Sequence, residues 1–160
     1  DKPYLCSLFI KRRCNNISVL QMISFNYESD FILPNEDIFS NWIRKVITSE
    51  SYVLGEINYI FCNDDYLHKI NLEFLKHDTL TDIITFDNTV GTTIYSDIFI
   101  SIERVLDNAK DFEVSFEEEL KRVIIHGVLH LCGYKDKSDS EAALMRSKEN
   151  NKIKLFHMEQ

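Results

Sequence analysis

The stretch from Leu120 to Asp136, LKRVIIHGVLHLCGYKD, joins an apolar helical pattern to two histidines and a glycine. His126 and His130 are four residues apart, so on a helix they lie about 40° apart around the axis and roughly 6 Å apart along it. Their imidazole nitrogens can therefore both reach one metal ion at about 2.0–2.1 Å. This spacing predicts a metal-binding helix, and the alternative is a pair of hydrogen-bonded core histidines.

The residues after the helix extend this pattern. Gly133 allows a left-handed conformation that ends a helix and turns the chain back. We therefore expect Asp136, three residues later, to bring its carboxylate to the same metal. Two imidazoles and one carboxylate leave a fourth position open for water, which is the arrangement of a catalytic zinc site.

The residue after the first histidine bears on the type of reaction. The spacing is that of metzincin-like peptidases, whose helix carries a glutamate at this position as general base. Here the position is Gly127, which disfavours peptide hydrolysis by that route and leaves room for a bulky substrate such as a phosphate or an ester. A zinc peptidase would need a glutamate from elsewhere, and residues 117–119 lie too far down the helix.

Composition excludes several classes of protein. The 160 residues include only four glycines and two prolines, with 44% hydrophobic and 12% aromatic residues, which is typical of a folded domain rather than a disordered chain. The sequence contains no run of about 18 apolar residues, the length that a membrane-spanning helix needs. The net charge of −8 argues against nucleic-acid binding by bulk electrostatics alone. A local basic patch or a bound metal can still attract a nucleic acid. The four cysteines form no Cys-x-x-Cys pair and fit a reducing cytosol.

The rest of the chain predicts an α+β fold, with about four short strands in one mixed sheet and helices packed on it. Strands are predicted over residues 23–27, 56–62, 83–86 and 92–102, with a hairpin between the last two. Helices are predicted from Asn35, from Asn63 to residue 75, over residues 103–112, from Ser115 to near Gly133, and from Ser138 or Ser140 to residue 150. We expect residues 1–21 to be an extension and residues 22–160 to form a single domain. A real strand near residues 8–10 is the alternative.

Three motifs in order resemble those of a known family. The run His126-Gly127-x-Leu129-His130-Leu131-x-Gly133-Tyr134, with Glu141, Ala142 and Met145 downstream, is similar to that of the YbeY-type metal-dependent endoribonucleases. The segments TDIITF (81–86) and DIFIS (97–101), together with Asn71, match further motifs of that family. The resemblance covers residues 22–150.

The resemblance implies a function and its partners. The fold that it implies is a single α+β domain that holds one zinc ion in the cytoplasm. The activity that it implies is cleavage of single-stranded RNA in small-subunit rRNA maturation and ribosome quality control. The implied partners are rRNA and the small ribosomal subunit, with no DNA and no membrane.

Two positions depart from the family's pattern. Most members carry a histidine where this chain has Asp136, and an aspartate can replace it as an oxygen ligand with altered affinity. The family also tends to carry an arginine at the position of Leu75, where it is a candidate phosphate contact. We expect Lys76 to substitute for it as a point charge, although a lysine lacks the bidentate fork of arginine.

Other charged residues have weaker assignments. Lys135 and Lys137 flank Asp136 and are candidate phosphate contacts, with solvation of a loop as the alternative. Asp82 and Asp97 are predicted to shape the sheet edge beside the site, or else to form hydrogen bonds at turns and strand ends. The remaining histidines fit no ligand spacing with the pair, and they are His68, His77 and His157. A metal-stabilised, ribosome-associated binding protein with little turnover is the alternative function that the two departures favour.

Overall fold

A computed structural model describes residues 21–158 and confirms the α+β class. The strands are β1 (Met22–Tyr27), β2 (Val53–Cys62), β3 (Ile83–Asp87) and β4 (Thr93–Ser101). The helices are α1 (Glu36–Ser49), α2 (Asp64–Ile70), α3 (Ile102–Asp111), α4 (Phe116–Leu131) and α5 (Asp139–His157). A π-helical turn, Asn71–Leu75, continues α2. The predicted extension over residues 1–21 and the alternative strand within it lie almost wholly outside the described residues.

The four strands form one mixed sheet in the order β1-β2-β4-β3. β1, β2 and β4 are parallel, and β3 pairs antiparallel with β4, so that Ile83 lies opposite Ile100 and Asp87 opposite Ser96. The predicted hairpin between β3 and β4 is confirmed, and Gly91 within it has a φ of +60°. This topology leaves β3 at an edge of the sheet, where α4 contacts it.

Apolar side chains cover both faces of the sheet. The larger cluster joins the sheet to α1, α4 and α5, and includes Trp42, Ile98 and Ile124, none of which has exposed surface. The smaller cluster packs Leu67 of α2 against Phe99 of β4. Adjacent residues of β4 point to opposite faces, as the two-residue period of a strand requires. Helix α4, which carries His126 and His130, is thereby fixed against the larger core.

Two predicted boundaries were wrong because tertiary packing overrides the local pattern. β2 begins at Val53, before Gly55, because Val53 and Leu54 pair with Thr93 and Ile94 of β4. Gly55 lies at a β-bulge in this pairing, where a Cβ would lie 2.6 Å from the ring of Tyr95. Helix α5 continues to His157, well past residue 150. Phe156 anchors this extension, with its ring centroid 5.2 Å from that of Trp42.

The helix caps follow the sequence at three of four predicted sites. Asn63, Ser115 and Ser138 each accept a hydrogen bond from a backbone N–H in the first turn of the following helix, as expected of N-cap residues. Asn35 does not cap α1 with its side chain. It adopts a left-handed conformation with a φ of +57° instead.

None of the helices within the described residues is long and apolar enough to cross a membrane.

Candidate metal centre

His126, His130 and Asp136 come together at the C-terminal end of α4. The Nε2 atoms of the two histidines are 2.9 Å apart. The chain turns back at Gly133, whose φ is +93°, as the sequence predicted. The Oδ2 atom of Asp136 then lies 3.3 Å from Nε2 of His126 and 3.2 Å from Nε2 of His130. The structure therefore groups the three predicted ligand residues.

Hydrogen bonds on the far sides of both imidazole rings fix the tautomers. Nδ1 of His126 lies 2.7 Å from the Glu149 carboxylate, and Nδ1 of His130 lies 2.8 Å from the carbonyl oxygen of Tyr134. Both of these oxygens are acceptors, so each Nδ1 carries a proton and donates it. In a neutral histidine the other nitrogen, Nε2, is then an unprotonated lone-pair donor.

This donor set fits a divalent cation. Two nitrogen lone pairs and a carboxylate oxygen within 3.3 Å of one another repel unless a positive charge lies among them. Tetrahedral ligands with bonds of about 2.0–2.1 Å lie about 3.3 Å apart, which is close to the separations observed. Imidazole nitrogen and carboxylate oxygen are both common zinc ligands. The residues present therefore suit a zinc ion.

Glu149 of α5 orients His126. Its side chain is 4% exposed, and its second carboxylate oxygen lies 3.1 Å from Nη1 of Arg122 and 3.3 Å from Nη1 of Arg146. Burial alone raises the pKa of Glu149, but the hydrogen bonds to His126 and Arg122 lower it more, so it stays below its ordinary value. Glu149 is therefore a fixed anionic acceptor behind the first ligand.

Tyr134 orients His130 through its backbone carbonyl. Its N–H donates to the carbonyl oxygen of Leu129 at 3.1 Å, and its hydroxyl donates to Glu50 at 2.7 Å. Lys148 in turn lies 3.1 Å from Glu50. The loop between the second histidine and Asp136 is thus held at both its backbone and its side chain.

The pKa of His126 reflects these neighbours. Burial lowers the pKa of His126, but the hydrogen bond and the charge of Glu149 raise it more, and Asp136 and Asp82 add to that effect. The net pKa of His126 is above its ordinary value. Negative charge around the site therefore favours a cation there.

Gly127 has a different role from the one that the sequence suggested. It is buried against the sheet, where a Cβ would lie 2.9 Å from Cδ1 of Ile83 and 3.1 Å from Oγ1 of Thr85. Its missing side chain lets α4 approach β3 closely. The glycine therefore makes room for the sheet edge and not directly for a substrate.

An open groove of about 760 Å³ runs past the three ligand residues. It is lined by Asn71, Leu75, His77, Thr79, Thr81, Asp82, Ile83, Ile84, Thr85, Asp87, His126, His130, Leu131, Asp136 and Lys137. Of the predicted phosphate contacts, Lys137 lies on this lining, whereas Lys76 and Lys135 are exposed outside it. Asp82 lies in the groove, and Asp97 binds Asn58 within the sheet at 2.9 Å.

Two elements of the site were missed in the sequence. Glu149 lies on the buried stripe of α5 that also contains Met145 and Ile153, and an acid on an apolar stripe is a signal that could have revealed it. The carbonyl of Tyr134 has no signal of its own, since every residue carries one. His77 lies in a loop, as predicted. Its position on the lining of the groove was not predicted.

Comparison with known proteins identifies the family. The family model described as Endoribonuclease YbeY matches residues 24–157. The chain belongs to the endoribonuclease YbeY family. A protein of Flavobacterium johnsoniae named Endoribonuclease YbeY is 68% identical over 139 residues, which cover 87% of this chain and 100% of that protein. Its namesake in Flavobacterium psychrophilum is 63% identical over 139 residues, covering 87% and 99% of the two chains.

A solved structure supports the fold of this YbeY family member. The solution structure of TM1509 from Thermotoga maritima matches with a TM-score of 0.59 and 26% identity, over 84% of this chain and 89% of that one. These comparisons confirm the family resemblance and the expected enzyme class, a hydrolytic endoribonuclease.

Proposed function

We propose that this chain is a zinc-dependent endoribonuclease that cleaves single-stranded RNA in the maturation and quality control of the small ribosomal subunit, in the cytoplasm. The convergence of His126 Nε2, His130 Nε2 and Asp136 Oδ2 on the wall of an open groove is the observation that carries the proposal. The names of the family relatives support RNA as the substrate.

The residues of the site have separate roles in this proposal. His126, His130 and Asp136 would hold one zinc ion, and Glu149 and the Tyr134 carbonyl keep the two imidazoles in the ligand tautomer. When bound, the ion supplies Lewis acidity that activates water and polarises a phosphoryl oxygen. The groove supplies the space in which a flexible, unpaired strand lies across the ligands.

A zinc peptidase is a poorer fit to the same residues. Such an enzyme needs a carboxylate that takes a proton from water beside the metal. Glu149 is close to the centre, but it contacts Nδ1 of His126, on the opposite side of the ring from Nε2. It is therefore committed to the histidine and is not available at the open face.

Cleavage assays test the proposal. We expect the zinc-loaded chain to cleave a single-stranded oligoribonucleotide with multiple turnovers, and to leave a duplex of the same sequence intact. A chelator should abolish cleavage and added zinc should restore it, while His126→Ala should not respond to zinc. Stoichiometric RNA binding without turnover would instead support the binding-protein alternative.

The cellular role needs its own experiment. In cells whose only copy of this protein carries His130→Ala, we expect unprocessed small-subunit rRNA to accumulate and mature small subunits to decline. Normal rRNA processing in those cells, with the variant shown to lack nuclease activity in vitro, would contradict the proposed role in ribosome maturation.

A further inference from the structure

The segment between the π-helical turn and β3 presents alternate residues to the groove. Leu75, His77, Thr79 and Thr81 all line it, whereas the intervening residues 76, 78 and 80 do not. Leu75 ends the π-helical turn, and Lys76 turns the chain at a φ of +54°, after which every second residue up to Thr81 lines the groove. His77 therefore faces the groove and Lys76, its neighbour, lies outside it.

Asn71 fixes the segment in this orientation. Its side chain is almost fully buried, and it donates from Nδ2 to the carbonyl oxygen of Thr79 at 2.8 Å. Its backbone oxygen accepts the N–H of His77 at 3.3 Å. On the outer side, Asp78 lies 2.8 Å from Nε2 of His68 on α2. The residues on both sides of His77 are thus tied to the preceding helix, which holds the imidazole at the groove.

The groove has few groups that can bind a phosphate. Apart from the metal-ligand residues, its ionisable lining residues are Asp82, Asp87, His77 and Lys137. The two aspartates repel a phosphodiester. Among the described residues, the His77 side chain has no hydrogen-bond or ion-pair partner, so its ring nitrogens are available to a ligand.

We propose that His77 contacts a backbone phosphate of RNA bound in the groove, in the role that the sequence assigned to Lys76. The inference rests on the proposed nuclease function and extends it by naming a substrate contact. An imidazole N–H donates a hydrogen bond to a non-bridging phosphate oxygen, and a protonated ring adds a positive charge.

Neighbouring substitutions separate this contact from general electrostatics. His77→Ala removes the donor at the groove, and Lys76→Ala removes a full positive charge one residue away but outside it. His77→Gln keeps a neutral N–H donor and loses the ionisable ring. Zinc content and the free energy of unfolding are measured for each variant, so that loss of the metal or of the fold is not mistaken for loss of the contact.

The assay is single-turnover cleavage of a fluorescent single-stranded oligoribonucleotide by zinc-loaded full-length protein. We expect His77→Ala to raise the half-saturating protein concentration by about tenfold or more, the size of a lost charge-assisted hydrogen bond. His77→Gln should fall between His77→Ala and the wild type, and Lys76→Ala should stay within about twofold of the wild type. Equal effects of His77→Ala and Lys76→Ala, or no effect of His77→Ala, would overturn the role of His77.

A failure of the proposed function is distinguishable from a failure of this inference. If the wild type does not cleave RNA, the nuclease proposal is wrong. Binding of the same oligoribonucleotide, measured by fluorescence anisotropy, then tests whether His77 contacts the RNA. Weaker binding by His77→Ala than by Lys76→Ala would support a phosphate contact without cleavage. Equal binding by the wild type and His77→Ala, or no binding at all, would overturn it.

Discussion

Oε1 of Glu149 lies 2.7 Å from Nδ1 of His126, while two arginines hold the other oxygen of the same carboxylate. The ligand on α4 is therefore oriented by a residue of α5, 23 positions away in the chain. The proposed metal centre therefore depends on the packing of these two helices as well as on its three proposed ligands.

Glu149→Gln tests this orientation. The glutamine keeps an oxygen that can accept from Nδ1 of His126, but it removes the negative charge that Arg122 and Arg146 contact. We expect zinc affinity to fall by about 10–100-fold, measured by competition with a chromophoric chelator. Glu118→Gln, in the exposed first turn of α4, is the matched control. Unchanged zinc affinity in the Glu149 variant would contradict the orienting role.

Gly127→Ala tests the close approach of α4 to β3. On an exposed helix this change stabilises by up to about 1 kcal/mol. Here the added Cβ meets Ile83 and Thr85 at 2.9 Å and 3.1 Å, and overpacking of a core typically costs about 1–3 kcal/mol. We expect denaturant unfolding to show a net loss of about 1 kcal/mol or more. A gain in stability would show that the helix can move away from the sheet freely.

Asp136 substitutions test the third ligand. Asp136→Ala removes the donor atom, so we expect zinc affinity to fall at least tenfold. Asp136→His supplies an imidazole nitrogen in place of the carboxylate oxygen, and we expect it to retain zinc. Titration with zinc, followed by measurement of bound metal, compares the two. Equal affinity of the alanine variant and the wild type would remove Asp136 from the ligand set.

The Glu50 cluster predicts a pH dependence of stability. Burial alone raises the pKa of Glu50, but hydrogen bonds from Lys152, Tyr134 and Lys148 lower it more, so the net pKa lies below its ordinary value. A carboxyl group with a lowered folded pKa contributes stability above its unfolded pKa of about 4.3. That contribution is lost as the pH falls through the folded pKa.

Denaturant unfolding of the metal-free protein checks this dependence. We expect the wild type to lose stability as the pH falls below about 5. Glu50→Gln should be less stable than the wild type at neutral pH, by about 2 kcal/mol or more for a largely buried ion pair, and should lose less on acidification. Parallel pH profiles for the two proteins would contradict the assignment to Glu50.

The clustering of His126, His130 and Asp136 was predictable because its sequence signal is local. The i, i+4 histidines, the glycine turn and the following aspartate are within eleven residues of each other, so helix geometry alone brings them together. The fold class and the hairpin were also predictable, because alternation and turn residues are local patterns.

What the sequence missed depends on contacts between distant residues. Gly55 lies within β2 because the residues on both sides of it pair with β4, and the Tyr95 ring leaves no room for a side chain there. Gly127 has no side chain where β3 packs against α4. Glu149 reaches the site only after α5 docks on α4. The orientation of His77 depends on Asn71, whose hydrogen bonds close a loop that no local pattern specifies.

The number of zinc ions bound per chain tests the metal centre most directly. The wild-type protein, stripped with chelator and dialysed against zinc, should bind one ion per chain by elemental analysis. His126→Ala and His130→Ala should each retain far less after the same treatment, while remaining folded. Equal zinc content in the wild type and both variants, or no zinc in the wild type at any concentration, would contradict the ligand assignment on which the mechanism depends.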